Sequence, residues 1–130
     1  MREIRSREDI EFLVDTFYKK VLDDEVIGYI FTEVAKLDWD SHMPVMYDFW
    51  ETMLLGNMLY KGNPMLKHIA LDQKEKLTAQ HFDRWIQLWR ETLENHFTGE
   101  KATEAIQRAE MMRQLMQYKI EQSRNQHFIQ

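Results

Sequence analysis

Apolar residues recur at helical spacing along most of this chain, and the repeats divide it into a small set of elements. Ile10, Leu13, Val14, Phe17, Tyr18 and Val21 fall at i, i+3, i+4, i+7, i+8 and i+11, which predicts one apolar stripe on a helix over about 7 to 22. Ser6-Arg7-Glu8-Asp9 reads as a capping box at its start. Tyr18 lies on the stripe, so its hydroxyl is carried toward the interior and needs a partner there or a route to solvent. Glu25 to Phe31 is a short apolar segment around Gly28, enough for one or two helical turns, and Thr32 to Asp38 is poorly periodic. Asp38 or Asp40 can cap a second long helix whose first turns hold Trp39, His42 and Pro44, a position range in which proline is tolerated. Met43, Met46, Tyr47, Phe49, Trp50, Met53 and Leu54 then cover a broad apolar face up to Gly56.

Gly56 to Gly62 reads as a loop. Asn63 is a good N-cap and Pro64 is suited to the first helical position, so His68 follows four residues later on the same face of a short helix. The polar run Asp72-Gln73-Lys74-Glu75-Lys76 has no apolar face, and the element is expected to dissolve into it, leaving His68 between loops. Thr78 can cap the next helix, in which Phe82, Trp85, Ile86, Trp89 and Leu93 build an aromatic wall. Thr98-Gly99 breaks the chain. Ala102, Ala105, Ile106, Ala109, Met112 and Met116 form the stripe of a last helix over about 100 to 119, with small residues for close approach and methionines as adaptable fillers. The mostly polar tail from Glu121 to Gln130 is expected to fray, leaving His127 uninvolved.

Composition narrows the class. With 130 residues, 44% of them hydrophobic, the chain suits a single domain over 1–130 with its core at about 6–118. Only four Gly and two Pro, with no alternating strand pattern, make it all-α. The absence of cysteine excludes disulfides, thiolate-ligated metals and covalently attached haem, so any haem would be held non-covalently. A net charge of −5, with bases scattered among acids, gives no footprint for nucleic acid. No apolar run approaches the roughly 18 residues of a membrane span and the N-terminus has no apolar signal segment, so a cytoplasmic address is expected by default.

The candidate chemistry turns on the histidines. A di-iron carboxylate bundle needs Glu-x-x-His on two helices, but the residues three before the histidines are Trp39, Met65, Thr78, Leu93 and Arg124. His-Glu-x-x-His and a serine nucleophile elbow are also missing. Haem fits better, because it asks for one neutral imidazole, a flat apolar slot and one or two polar donors opposite. His68 can supply the first, the aromatic and Met residues the second, and Tyr18, His42 and Trp85 the third. Taken singly, a histidine on a short helix and an aromatic stripe are common features of ordinary helical cores. A cofactor-free helical interaction module is therefore the competing reading.

The order and spacing of several pieces resemble the group III truncated haemoglobins over roughly residues 6–118. They are Phe17-Tyr18-Lys19-Lys20-Val21, Trp39-Asp40-Ser41-His42, Asp48-Phe49-Trp50 with Met53-Leu54-Leu55-Gly56, Tyr60 with Gly62, Pro64 with His68, Phe82 with Trp85, and Gln107-Arg108-Ala109. The resemblance implies a truncated globin fold, a two-over-two helical sandwich around haem b. It makes His68 the iron ligand, with Tyr18, His42 and Trp85 facing the small ligand and Met46 and Phe49 lining that side. The chain's own aromatic, Met and neighbouring residues extend the expected slot to Phe31, Trp50, Tyr60, Met65, Lys67, Trp89 and Met112, and proximity to it makes Tyr60, Lys67 and Arg84 candidate propionate partners. Two features depart from the pattern. Pro44, just after His42, bears on whether that imidazole turns into the pocket or toward solvent, and the polar stretch after Leu71 lengthens the chain between His68 and Trp85.

The function implied is binding of O2, NO or CO at a His-ligated iron, with a sensing, scavenging or redox role favoured over bulk oxygen transport. The enzymatic alternative is NO dioxygenation or peroxide activation. No flavin or NAD-binding segment accompanies the chain, so a separate reductase would have to supply electrons. Oligomeric state stays open.

Overall fold

The computed structural model describes residues 1–129, with side-chain surroundings through residue 125. The expectation for His127 therefore lies outside the described residues. Five α-helices account for most of the chain: α1 Arg7–Leu22, α2 Trp39–Leu55, α3 Pro64–Lys74, α4 Ala79–His96 and α5 Glu100–Ile129. Among the described residues there is no strand, only an isolated bridge between Arg2 and Phe97. No helix among them is long and apolar enough to cross a membrane.

Local signals set the helix ends. Ser6 and Asp9 form the capping box of α1, with Asp9 Oδ2 accepting the Ser6 amide at 3.1 Å. Gly56 ends α2 at φ 77, a left-handed conformation in which a side chain would be strained. Asn63 accepts the Leu66 amide and Pro64 opens α3. Thr78 and His81 cap α4 reciprocally.

Two helix pairs, α1 with α2 and α4 with α5, are joined by packing of α1 on α4 and of α2 on α5, while α3 leans on α5. The α1 stripe is buried throughout, from Ile10 to Val21. At the centre Trp50 of α2 stacks on Trp89 of α4 with ring centroids 4.4 Å apart, and the Trp89 indole donates to the Ala105 carbonyl of α5 at 3.1 Å. This arrangement is the all-α architecture that the patterning predicts.

Three expectations are corrected. The segment after α1 is a turn followed by a π-helical stretch, Ile30–Val34, which reaches past Phe31. The Asp24 carboxylate organises that turn by accepting the Val26 and Ile27 amides at 3.0 and 3.1 Å. α3 runs through the polar run to Lys74, because Asp72 is held by Arg124 and is not left to solvent. α5 continues beyond residue 119 to Ile129, since Ile120 is buried and prolongs the stripe of Met112 and Met116.

Candidate functional site

One cavity of about 580 Å³ lies among the helices, within the range of small-molecule and cofactor sites. Its walls come from α1 (Val14, Phe17, Tyr18), the 27–38 segment, α2, α3, α4 and α5. Most of the proposed slot residues line it: Phe31, Met46, Phe49, Trp50, Tyr60, Lys67, His68, Trp85, Trp89 and Met112, together with Tyr18 and His42.

Met65 does not. Pro64, Lys67, His68 and Leu71 occupy one face of α3 at i, i+3, i+4 and i+7, and Met65 is turned off that face to pack on the core from outside the cavity. Arg84 is likewise not at the cavity, because it is spent in an ion pair with Asp24 at 2.7 Å.

His68 projects into the cavity with its Nδ1 2.6 Å from the Pro64 carbonyl oxygen. A carbonyl only accepts, so Nδ1 carries the proton and donates, which leaves the Nε2 lone pair available. Burial lowers the His68 pKa most, the Pro64 hydrogen bond partly opposes it, and the Lys67 charge lowers it further. The net effect keeps the ring neutral, the form a metal ligand requires. Among the described residues no group of three or more His, Asp or Glu could hold a bare metal ion. A single free imidazole nitrogen facing a large apolar cavity instead fits a planar cofactor that brings its own equatorial ligands.

On α2, His42 turns inward. Its Nε2 is hydrogen-bonded to the Tyr18 hydroxyl at 3.2 Å, and its ring meets Tyr18 edge-on at 5.4 Å and Trp39 at 5.7 Å. Pro44 falls in the second turn of α2 and does not divert it. The carbonyl deprived of a donor there is that of Asp40, an exposed residue that water can satisfy. Burial, then the Lys67 and His68 charges, lowers the His42 pKa, so this imidazole is also held neutral. Burial pushes the Tyr18 hydroxyl up, far from ionisation at neutral pH. Trp85 lines the same cavity, edge-on to Phe17 at 6.3 Å.

Sequence patterning overlooked several lining residues. Ser41 and His81 stand off the apolar stripes, Lys74 falls in the polar run that reads as loop, and Leu71 and Leu77 flank that run. Ser41, Leu71, Lys74 and His81 lie within two helical turns of a recognised site residue, the one signal available for them.

Known proteins carry the same pattern. The profile of the family described as bacterial-like globin matches residues 3–119. A group 3 truncated hemoglobin of Campylobacter jejuni is 32% identical over 113 residues, covering 85% of this chain and 87% of that protein. The crystal structure of a group III truncated hemoglobin from Campylobacter jejuni superposes with a TM-score of 0.80 at 31% identity, over 92% of this chain and 95% of that one. Fold, cavity and sequence thus agree, and the chain belongs to the bacterial-like globins, a haem-binding family, within their group III truncated haemoglobin branch.

Proposed function

We propose that the chain holds haem b non-covalently through His68 and binds a diatomic ligand, O2, NO or CO, in the space bounded by Tyr18, His42 and Trp85. The observation that carries this reading is the Nδ1 contact of His68 with Pro64, which fixes the tautomer and presents Nε2 to the cavity. When bound there, haem iron supplies an open coordination position for the small ligand.

The protein's own residues do the rest. Phe49, Trp50, Trp89 and Met112 give apolar walls that exclude water. Lys67 and Tyr60 stand at the cavity as the candidate partners for propionates, and Lys67 already imposes its positive field on both imidazoles. Tyr18 and His42 act as a unit. With His42 Nε2 protonated, it donates to Tyr18 Oη and leaves the tyrosine O–H free to donate to the ligand. In the other tautomer the hydroxyl is committed to His42.

Reconstitution with haemin should give an intense Soret band, and His68→Ala should abolish it or convert it to that of loosely bound haem. An unchanged ligation spectrum in His68→Ala would remove His68 from the iron. The hydrogen-bonded Tyr18–His42 pair at the cavity also favours a second reading, in which the site turns over NO or peroxide with electrons from a separate reductase. Catalytic turnover of either, beyond one equivalent per haem, would establish it; stoichiometric oxidation alone would reject it.

A further inference from the structure

The helix that carries His68 is weakly embedded. None of the α3 residues is fully buried, and among the helices α3 packs chiefly on α5. What fastens its far end is polar. Asp72, one turn beyond His68 and with its side chain 6% exposed, accepts Arg124 Nε at 3.1 Å on Oδ2 and Arg124 Nη2 at 2.6 Å on Oδ1. Oδ1 also accepts the Leu77 amide at 2.8 Å, and the same Nη2 donates to the Leu77 carbonyl at 2.9 Å. One guanidinium thereby ties down both the end of α3 and the connection into α4.

Arg124 reaches this position because Met116, Ile120 and Arg124 recur every four residues along α5, with Met116 and Ile120 buried in the core. Ile120 and Arg124 both lie beyond residue 119, where the match to the family profile ends. We propose that this part of α5 is a brace for the cofactor-bearing helix, and that Asp72 and Arg124 are positioning residues for the His68 imidazole, an inference that rests on His68 being the iron ligand.

The physical reason lies in the stiffness of the helix. His68 and Asp72 are i, i+4 neighbours, so a displacement at Asp72 pivots α3 about its Asn63-Pro64 start and swings the ring. A fork of two parallel N–H···O bonds fixes direction as well as distance. Removing Arg124 leaves the Asp72 charge buried without its ion pair, which drives that end of the helix toward solvent, and removing Asp72 takes away the carboxylate through which Arg124 holds the helix. The Pro64 carbonyl then orients the ring from one end alone.

The test uses the haem-loaded protein and the iron–histidine stretching band of its ferrous form. Arg124→Met keeps the apolar stem and removes the fork, and Asp72→Asn removes the charge from the other side. Both should shift or broaden the band and speed haemin transfer to an acceptor apoprotein by roughly 10- to 100-fold. The double variant should do no more than either single one, because both break one interaction. Arg124→Lys, the milder change, should fall between wild type and Arg124→Met. A His68-dependent band that neither variant moves overturns the brace while leaving the ligand assignment standing. A wild-type band that persists in His68→Gly, or is absent, overturns the ligand assignment and the brace with it.

Discussion

The two nitrogens of His68 have different partners, and that asymmetry decides what the residue can do. Nδ1 is engaged by the Pro64 carbonyl one turn back, a contact that follows from helix geometry, in which each carbonyl points toward the residue four later. Tyr18 and His42 show the complementary case. Tyr18 is buried and His42 half-buried against it, so their shared hydrogen bond spares both the cost of an unsatisfied polar group, and with His42 Nε2 protonated the Tyr18 O–H stays available as a donor to a ligand. Replacing Tyr18 by Phe removes one such donor and leaves the packing of its ring intact. A hydrogen bond to a partly charged group contributes about 1.5 to 3 kcal/mol, so O2 dissociation from the ferrous protein should accelerate by about one to two decades. Stopped-flow release of O2 measures it, and an unchanged rate would place the Tyr18 hydroxyl outside the ligand's reach.

At the scale of elements, what was legible in the sequence follows from how each helix is held. α1 and α4 are anchored by continuous apolar stripes, and their predicted starts and ends agree with the structure. The ends of α3 and α5 were not legible, because the pair that secures both, Asp72 with Arg124, joins residues 52 apart with no local spacing to announce it. The same limit explains Met65 and Arg84: the sequence placed them near the slot, whereas helix phase turns one aside and a distant carboxylate, Asp24, claims the other. The turn after α1 carries its own constraint. A Cβ on Gly28 would lie 2.9 Å from the Val21 carbonyl oxygen and 3.2 Å from that of Leu22, both backbone atoms that cannot swing away. Gly28→Ala should therefore destabilise the fold by about 1 to 3 kcal/mol. Thermal unfolding would register it, and an unaltered midpoint would mean that the turn relaxes freely.

Over the whole molecule, several groups whose protonation is disfavoured by folding point the same way in pH. In Asp24 and Asp72, burial pushes the carboxyl up, but the Arg84 and Arg124 guanidinium groups with backbone amides outweigh it and hold both below the ordinary 3.8. For His42, burial leads and the neighbouring positive charges add to it, so its pKa lies below the ordinary 6.5. In each case the unfolded chain takes up its proton at a higher pH than the folded one. Between those two values the unfolded state binds more protons, and stability falls as the pH is lowered. The His42 contribution is complete above about pH 6.5 and declines as pH drops toward its folded value; the carboxylate contributions decline only below about pH 3.8. Acid unfolding should accordingly proceed in two limbs. His42→Gln, which cannot be protonated, should flatten part of the upper limb, the rest belonging to His68, whose pKa burial also lowers, and should leave the lower limb. Arg124→Met should flatten part of the lower limb, because Asp72 then loses the charge that depresses its titration. Thermal midpoints measured across this range separate the two, and a single limb unmoved by either substitution would show that charges elsewhere on the surface govern the acid response.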